Sequence, residues 1–405
     1  MLFRTGRLTA CLALAACGSA AHAAGYALIE QNASGLGNAY AGQAASAQDA
    51  STIFFNPAGM TMLPDRQVVL AGHLIKPGAE FGGTVTPNIG GGDGGDAGDL
   101  AFVPNAYFAF RLTPEVHLGI GAFAPFGLKT EYDSTWVGRV HAIESELKTI
   151  NVNPSIAWKL SDALSLGAGV SIQYIEATLT NATGAGLPPA VGAVKGDDYG
   201  WGYNLGLLWQ ASERTRFGLA YRSKIDHTLE GDLKVNGIVA ATPVYADVTL
   251  PDSVSLSAFH RVNDRWDVMA DVSWMGWSSF DLLNIVNGAG ASIVPPTTEN
   301  WDDSYRVALG ANYRLNDRLT LRGGIAYDET PVSDQFRTAR IPDEDRTWLA
   351  FGAQYRLSPS SLIDVGYAHL FVSDARIDET RGGLLLSGEY DSAVDILSVQ
   401  LTHTF

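Results

Sequence analysis

Val394-Asp395-Ile396-Leu397-Ser398-Val399-Gln400-Leu401-Thr402-His403-Thr404-Phe405 alternates in type and ends on an aromatic residue. Leu397, Val399, Leu401, His403 and Phe405 fall on one side of an extended chain, and Ser398, Gln400, Thr402 and Thr404 fall on the other. Side chains of a strand point alternately to its two faces, so this stretch has one greasy face and one wet face. His403 interrupts the greasy face beside the chain end, where a strand meets an interface. A soluble sheet can end this way, and so can a membrane barrel whose last strand closes on its first.

Three upstream arms carry the same pattern. In 266–274, Trp266, Val268, Ala270, Val272 and Trp274 oppose Asp267, Asp271 and Ser273. In 305–315, Tyr305, Val307, Leu309, Ala311, Tyr313 and Leu315 oppose Arg306, Asn312 and Arg314. In 319–327, Leu319, Leu321, Ile325 and Tyr327 oppose Thr320, Arg322 and Gly324. A soluble sandwich also alternates. Arms of about ten residues with aromatic ends fit a lipid-facing band with aromatic girdles better.

Short turn signals fall at 112–115, 160–163, 210–213, 262–265, 315–318 and 357–360, about fifty residues apart. Each joins two strand-like arms. These six hairpins supply twelve strands; a first strand near 67–76 and the last at 394–405 make fourteen. An all-β, fourteen-stranded antiparallel barrel with both termini periplasmic needs six inner turns and seven outer loops. The Gly/Pro-rich or polar stretches 77–101, 128–146, 180–198, 231–244, 278–300, 329–343 and 375–390 supply the outer seven. Closure also removes the open edges that so many strands would otherwise present.

Composition agrees. Of 405 residues, 46% are hydrophobic and only 17% charged, yet after residue 23 no apolar run is long enough for a membrane helix. The net charge of -16 argues against nucleic acid as a partner. Residues 1–23 read as a secretory signal peptide: Arg4 and Arg7, an apolar centre from Leu8 to Ala16, and Ala21-His22-Ala23 at the cleavage site. Both cysteines, Cys11 and Cys17, lie in it. Leu14-Ala15-Ala16-Cys17 offers a rival reading as a lipoprotein processing site.

Residues 24–63 are rich in Gly, Ala and Ser and lack strand alternation. They hold Ser34-Gly35-Leu36-Gly37-Asn38-Ala39-Tyr40-Ala41-Gly42, then Asp49-Ala50, then Asn56-Pro57-Ala58. With Phe126-Gly127-Leu128, Trp201-Gly202-Tyr203-Asn204, Tyr221-Arg222-Ser223, Leu250-Pro251, the run from Asp303 to Gly310 and the run from Ile341 to Arg346, this order resembles the FadL family of outer-membrane long-chain fatty acid transporters.

The resemblance implies a hatch of residues 24–63 inside a barrel of residues 64–405. It implies passive diffusion of a hydrophobic molecule with sideways exit at a kinked third strand. Gly35, Gly37, Asn56, Pro57 and Ala58 are then hatch residues. Pro125, Phe126 and Gly127 form the lateral gate; Pro lacks a ladder donor and Gly invites a bend. Gly35 and Gly37 are expected to permit tight turns. Candidates to line the ligand path are Phe54, Phe55, Trp136, Trp301 and Arg306, and Phe405 is the expected assembly signal.

The sequence departs from the family where a carboxylate would sit. Stretches 175–194 and 295–304 contain Glu176, Asn181, Glu299, Asp302 and Asp303 and no Lys or Arg. An anionic head group needs another base, such as Arg306. Uptake of neutral aromatic hydrocarbons is therefore the alternative. An outer-membrane barrel enzyme and a static structural or adhesive barrel also stay open. No Gly-x-Ser-x-Gly elbow or His-Glu-x-x-His helix is present. Neither a cofactor nor a metal is expected. Expected partners are a hydrophobic small molecule, outer-membrane lipid and lipopolysaccharide, and the barrel assembly machinery, with the chain a monomer in the outer membrane of a Gram-negative bacterium.

Overall fold

The computed structural model describes residues 25–236 and 239–405. The signal-peptide and Cys17 readings lie outside the described residues. Fourteen antiparallel strands close into one barrel. They are β1 (Arg66–Thr86), β2 (Ala101–Arg111), β3 (Val116–Phe123, resuming at Gly127–Glu131), β4 (Glu144–Lys159) and β5 (Leu164–Ala182). Next come β6 (Val191–Ser212), β7 (Thr215–Arg222, resuming at Ile225–Val235), β8 (Val239–Leu250, resuming at Ser253–Arg261) and β9 (Trp266–Met275). Last are β10 (Ser304–Arg314), β11 (Leu319–Asp328), β12 (Arg346–Ser358), β13 (Ser361–Val372, resuming at Ala375–Arg381) and β14 (Leu384–Thr404).

β14 closes on β1 from Gln67↔Thr404 to Thr86↔Leu385. Leu397 is 46% exposed and Val399 and Leu401 are similar, whereas Ile396, Ser398, Gln400 and Thr402 are buried. The greasy face is thus outside, as lipid requires, and the wet face is inside. β9, β10 and β11 repeat the inversion. Trp266, Val268, Val272, Leu309 and Ile325 are exposed while Asp267, Asp271, Arg306 and Arg322 are buried.

The outer connections are shorter than expected because the strands run on. β1 reaches Thr86, β5 reaches Ala182, and β13 turns into β14 at Gly382-Gly383. Above the lipid no apolar face is required, so these hairpin extensions lose the alternation that marks the spanning part.

Four short helical turns follow one another inside the barrel: Ala33–Leu36, Gln43–Ser46, Thr52–Phe55 and Pro57–Met62. None is long enough to be stable alone. They persist because the wall surrounds them. Leu36, Ala39, Tyr40, Ala41 and Ala45 pack with inward residues of the wall such as Phe259, Met269 and Trp348.

Candidate functional site

Short helices leave carbonyls unpaired at their C-terminal ends. Here wall arginines answer them. Arg322 Nη1 donates to Ser34 O at 2.9 Å, and Arg306 Nη2 donates to Ala39 O at 2.6 Å. Arg216 Nη2 donates to Ser46 O at 2.8 Å, and Arg222 Nη2 donates to Phe54 O at 2.9 Å. Arg322 also pairs with Asp364 at 2.9 Å, where both groups are buried. Each guanidinium points inward from its strand, so the barrel grips its hatch with fixed charged donors.

Asn56 pins the other end. Its Oδ1 accepts from Ala58 N at 3.1 Å, and its Nδ2 donates to Ala44 O at 2.7 Å and to Leu207 O at 3.0 Å. Pro57 occupies the first position of the following turn, where no N–H is needed. The glycines act differently from the expectation. Gly37 has φ -59, an ordinary helical value, and its Cα side faces Gly352 and Arg322 with no room for a Cβ. Gly35 is helical too, and a Cβ there would strike Tyr40 and Asn32. Close packing demands these glycines; the left-handed positions among the described hatch residues are instead Gly25 (φ 63), Ala39 (φ 48), Tyr40 (φ 55), Gly42 (φ 70) and Ala47 (φ 44).

The third strand is broken at 124–126. β2 and β3 pair from Arg111↔His117 to Ala106↔Ala122 and then part. The upper half of β3 pairs with β4 alone, from Gly127↔Lys148 to Glu131↔Glu144. The start of the hatch occupies the opening. Leu28 N donates to Pro125 O at 2.8 Å, and Gly127 N donates to Tyr26 O at 2.9 Å. Gln31 Nε2 donates to Ala124 O at 2.8 Å. Thr149 Oγ1 serves both the amide and the carbonyl of Phe126. The carbonyls of Ala124, Pro125 and Phe126 and the amides of Phe126 and Gly127 are thereby paired with the hatch or with Thr149, as burial demands.

Between hatch and wall lies a cavity of about 140 Å³. Phe54, Phe55, Pro57, Pro125, Phe126 and Arg306 are among its walls. Trp136 is not. Its ring stacks on Tyr132 at 4.0 Å, its Nε1 donates to Ala142 O at 2.7 Å, and it is fully buried in an outer-loop cluster with Phe81. Trp301 stands one layer behind the cavity, against Tyr26, Trp277 and Phe280 at 5.0–5.6 Å. Trp277 takes the place at the wall.

The cavity is apolar with four charged groups. Arg222 lies 4.6 Å over the Phe54 ring. Arg306 lies 5.1 Å over Trp348, is 6% exposed, and leaves Nε and Nη1 without a hydrogen-bond partner. Asp271 is held by Ser257 and Ser273, and Asp328 completes the set. Near them the hatch residue Glu30 is fully buried, with neither carboxylate oxygen hydrogen-bonded. Burial pushes its carboxyl up to about 7, against the pull of its own backbone N–H and of Arg346 and Arg306. Sequence reasoning missed Arg216, Arg222 and Glu30. Strand parity could have found the first two, since Arg216 and Arg222 share the inward phase of β7 with Ala220; nothing local marks Glu30.

The chain matches a family model described as "Outer membrane protein transport protein (OMPP1/FadL/TodX)" over residues 14–405. It is 34% identical to Outer membrane protein P1 of Haemophilus influenzae, over 91% of this chain and 90% of that one. It is 30% identical to the Long-chain fatty acid transport protein of Salmonella typhi, over 91% and 92%. A solved Pseudomonas aeruginosa FadL homologue has TM-score 0.87 at 27% identity, covering 94% of this chain and 99% of that one. The toluene transporter TodX of P. putida shares the fold, with TM-score 0.66 at 19% identity over 88% and 94%. The barrel, the hatch and these matches agree, and the chain belongs to the FadL/TodX family of outer-membrane transport proteins for hydrophobic compounds, which are channels and not enzymes.

Proposed function

We propose that this protein takes up long-chain fatty acids by passive diffusion, with the carboxylate met in the lumen by Arg306 and Arg222 and the chain leaving sideways at 124–126. The observation that carries this reading is Arg306. A buried guanidinium with two free donors, facing an apolar cavity, is a costly arrangement without an anionic guest. The basic residues missing from 175–194 and 295–304 are thus replaced from other strands. Sideways exit is supported by the parting of β2 and β3 above Ala106↔Ala122 and by the hatch start that fills the opening.

A second reading has its own support. A cavity of about 140 Å³ resembles in size an engineered apolar cavity of about 150 Å³ that binds benzene. A neutral monoaromatic would fit without moving the hatch. Liposomes carrying the protein decide between them: labelled oleate entering far faster than toluene supports the fatty-acid reading. The reverse preference supports the aromatic one, and uptake of neither overturns both.

A further inference from the structure

A second break in the wall lies between β6 and β7. Pairing runs from Gly192↔Val235 to Asp197↔Glu230, stops, and resumes at Asn204↔Arg222, offset by one residue. Residues 198–203 therefore lack a continuous ladder partner on this side. Ser223 bridges the lower edge: its N–H donates to Tyr203 O at 2.8 Å, and its Oγ accepts from Tyr203 N at 2.9 Å. The remainder is filled by side chains. His227 lies against Gly200, with Nδ1 3.0 Å from Asp198 Oδ2 and Nε2 3.1 Å from Gln173 Oε1. Ile225 lies against both Gly200 and Gly202.

β8 breaks at the same level, at Pro251-Asp252, opposite Ser223-Lys224. Proline has no donor to give a ladder. The lumen cavity reaches this level: Asn204, Leu205, Tyr221, Arg222, Pro251 and Ser253 border it. Leu205 and Tyr221 have the outward phase of their strands, so the wall is one residue thick here. Outside, aromatic rings surround the break. Tyr174 and Tyr199 lie 5.0 Å apart, and Tyr203 and Tyr221 lie 5.9 Å apart. Tyr199 and Trp201 are 73% and 74% exposed.

We propose that the β6–β7 seam is a second, membrane-facing passage to the lumen cavity, taking the hydrocarbon chain of an amphiphile dissolved in the outer leaflet. The proposal rests on the transport reading above. Opening an intact ladder in lipid would strand backbone donors and acceptors. Opening this seam breaks no run of ladder bonds: it parts Ser223 from Tyr203 and Thr228 N from Asp198 Oδ2, 3.2 Å away, and turns Ile225 and His227, with the His227 bonds to Asp198 and Gln173, away from two glycines. The aromatic faces outside offer an apolar landing surface, and Arg222 stands at the inner end.

The test uses the protein in liposomes with Cys11 and Cys17 replaced by Ser or absent, carrying Gly202→Cys with Ser223→Cys. A Cβ at 202 would lie 2.7 Å from Ser223 Oγ, within reach of a disulfide. A diazirine-bearing palmitate is photolysed and the labelled peptides are mapped, and oleate uptake is followed before and after oxidation. The expected result is label on 199–203 and 223–227, lost on oxidation together with uptake, and regained on reduction. Label confined to 124–128, with uptake indifferent to oxidation, overturns the passage and leaves the transport reading standing. A wild-type protein that neither takes up oleate nor is labelled anywhere in its lumen refutes the transport reading, and the passage with it. Heat-modifiable migration of the oxidised variant confirms that its barrel is folded.

Discussion

Asn56 of the hatch donates its side-chain amide to the carbonyl of Leu207 in the wall, 3.0 Å away. The neighbouring Gly206 makes this approach possible, because a Cβ there would collide with Asn56 Oδ1. One side chain thus joins the Ala44 turn, the Ala58 turn and β6. Its loss would leave buried groups unpaired on all three.

The first prediction follows from that junction. Asn56→Ala should loosen the hatch by about 1–3 kcal/mol, the usual penalty for an orphaned buried polar group. Hydrogen exchange should rise across residues 25–63 while the barrel keeps its heat-modifiable migration. Gly206→Val should produce the same pattern by pushing Asn56 out. Unchanged protection in both variants would show that the junction does not hold the hatch.

A second prediction separates the two substrate readings. Arg306→Gln removes a charge whose Nε and Nη1 are free. If a carboxylate binds there, oleate affinity should fall by about 1.5–3 kcal/mol, roughly ten- to a hundredfold. Toluene, which has no charge, should be unaffected. Equal losses for both ligands would mean that the variant acts through the hatch, by way of Ala39.

These two cases show what could be read in advance. Alternation in 266–274, 305–315 and 394–405 was enough for the barrel, because lipid outside and polar contacts inside impose period two on each strand. The turn signals sufficed for the strand count. Arg306 and Arg322 already lay on the polar face of their arms. The helical turns of residues 33–62 were not legible, because they are held by contacts hundreds of residues away, such as Gln400 to Ala33 at 3.0 Å. Trp136 and Trp301 misled for a related reason: composition marks an indole as apolar, but only the fold decides whether it borders space or other rings. The pairing of residues 26–28 with 125–127 left no local pattern at all.

The third prediction concerns pH. Burial lifts the Glu30 carboxyl from an ordinary 4.5 to about 7. The docked hatch therefore binds this proton more tightly than the released hatch does. Docking is favoured at low pH, and the advantage is lost as pH rises from about 4.5 through 7. The full difference is about 3 kcal/mol at 1.4 kcal/mol per unit. Protease access to residues 25–63 should be greater at pH 8 than at pH 5. Glu30→Gln should flatten that dependence, and a wild-type hatch equally protected at both values would refute the assignment.

A fourth prediction tests the chain end. Phe405 N donates to Arg66 O at 3.1 Å, but the ring is 71% exposed and packs edge-on against His403, at 4.8 Å between centroids. The ring therefore adds little to the finished wall. Phe405→Ala should leave the purified barrel nearly as stable as before while lowering the amount of folded protein that reaches the outer membrane in cells. Normal cellular assembly would dismiss Phe405 as the assembly signal.

The last prediction concerns the opening in the third strand. Phe126 is buried and packs edge-on against Tyr26 and Trp277, each at 6.1 Å between centroids. Its backbone is held twice by Thr149, so truncation should spare the course of the strand and remove only the ring. A buried Phe→Ala change costs about 3–5 kcal/mol where the site cannot collapse. Here the hatch strand at 26–28 borders the space, so the loss should fall on hatch docking and not on the barrel. Phe126→Ala should therefore speed oleate entry into liposomes. The pair Ala27→Cys with Phe126→Cys, which face each other across an isolated bridge, should slow it when oxidised. If both variants transport like the wild type, hydrophobic molecules do not leave through this gap, and the break in β3 serves only to seat the hatch.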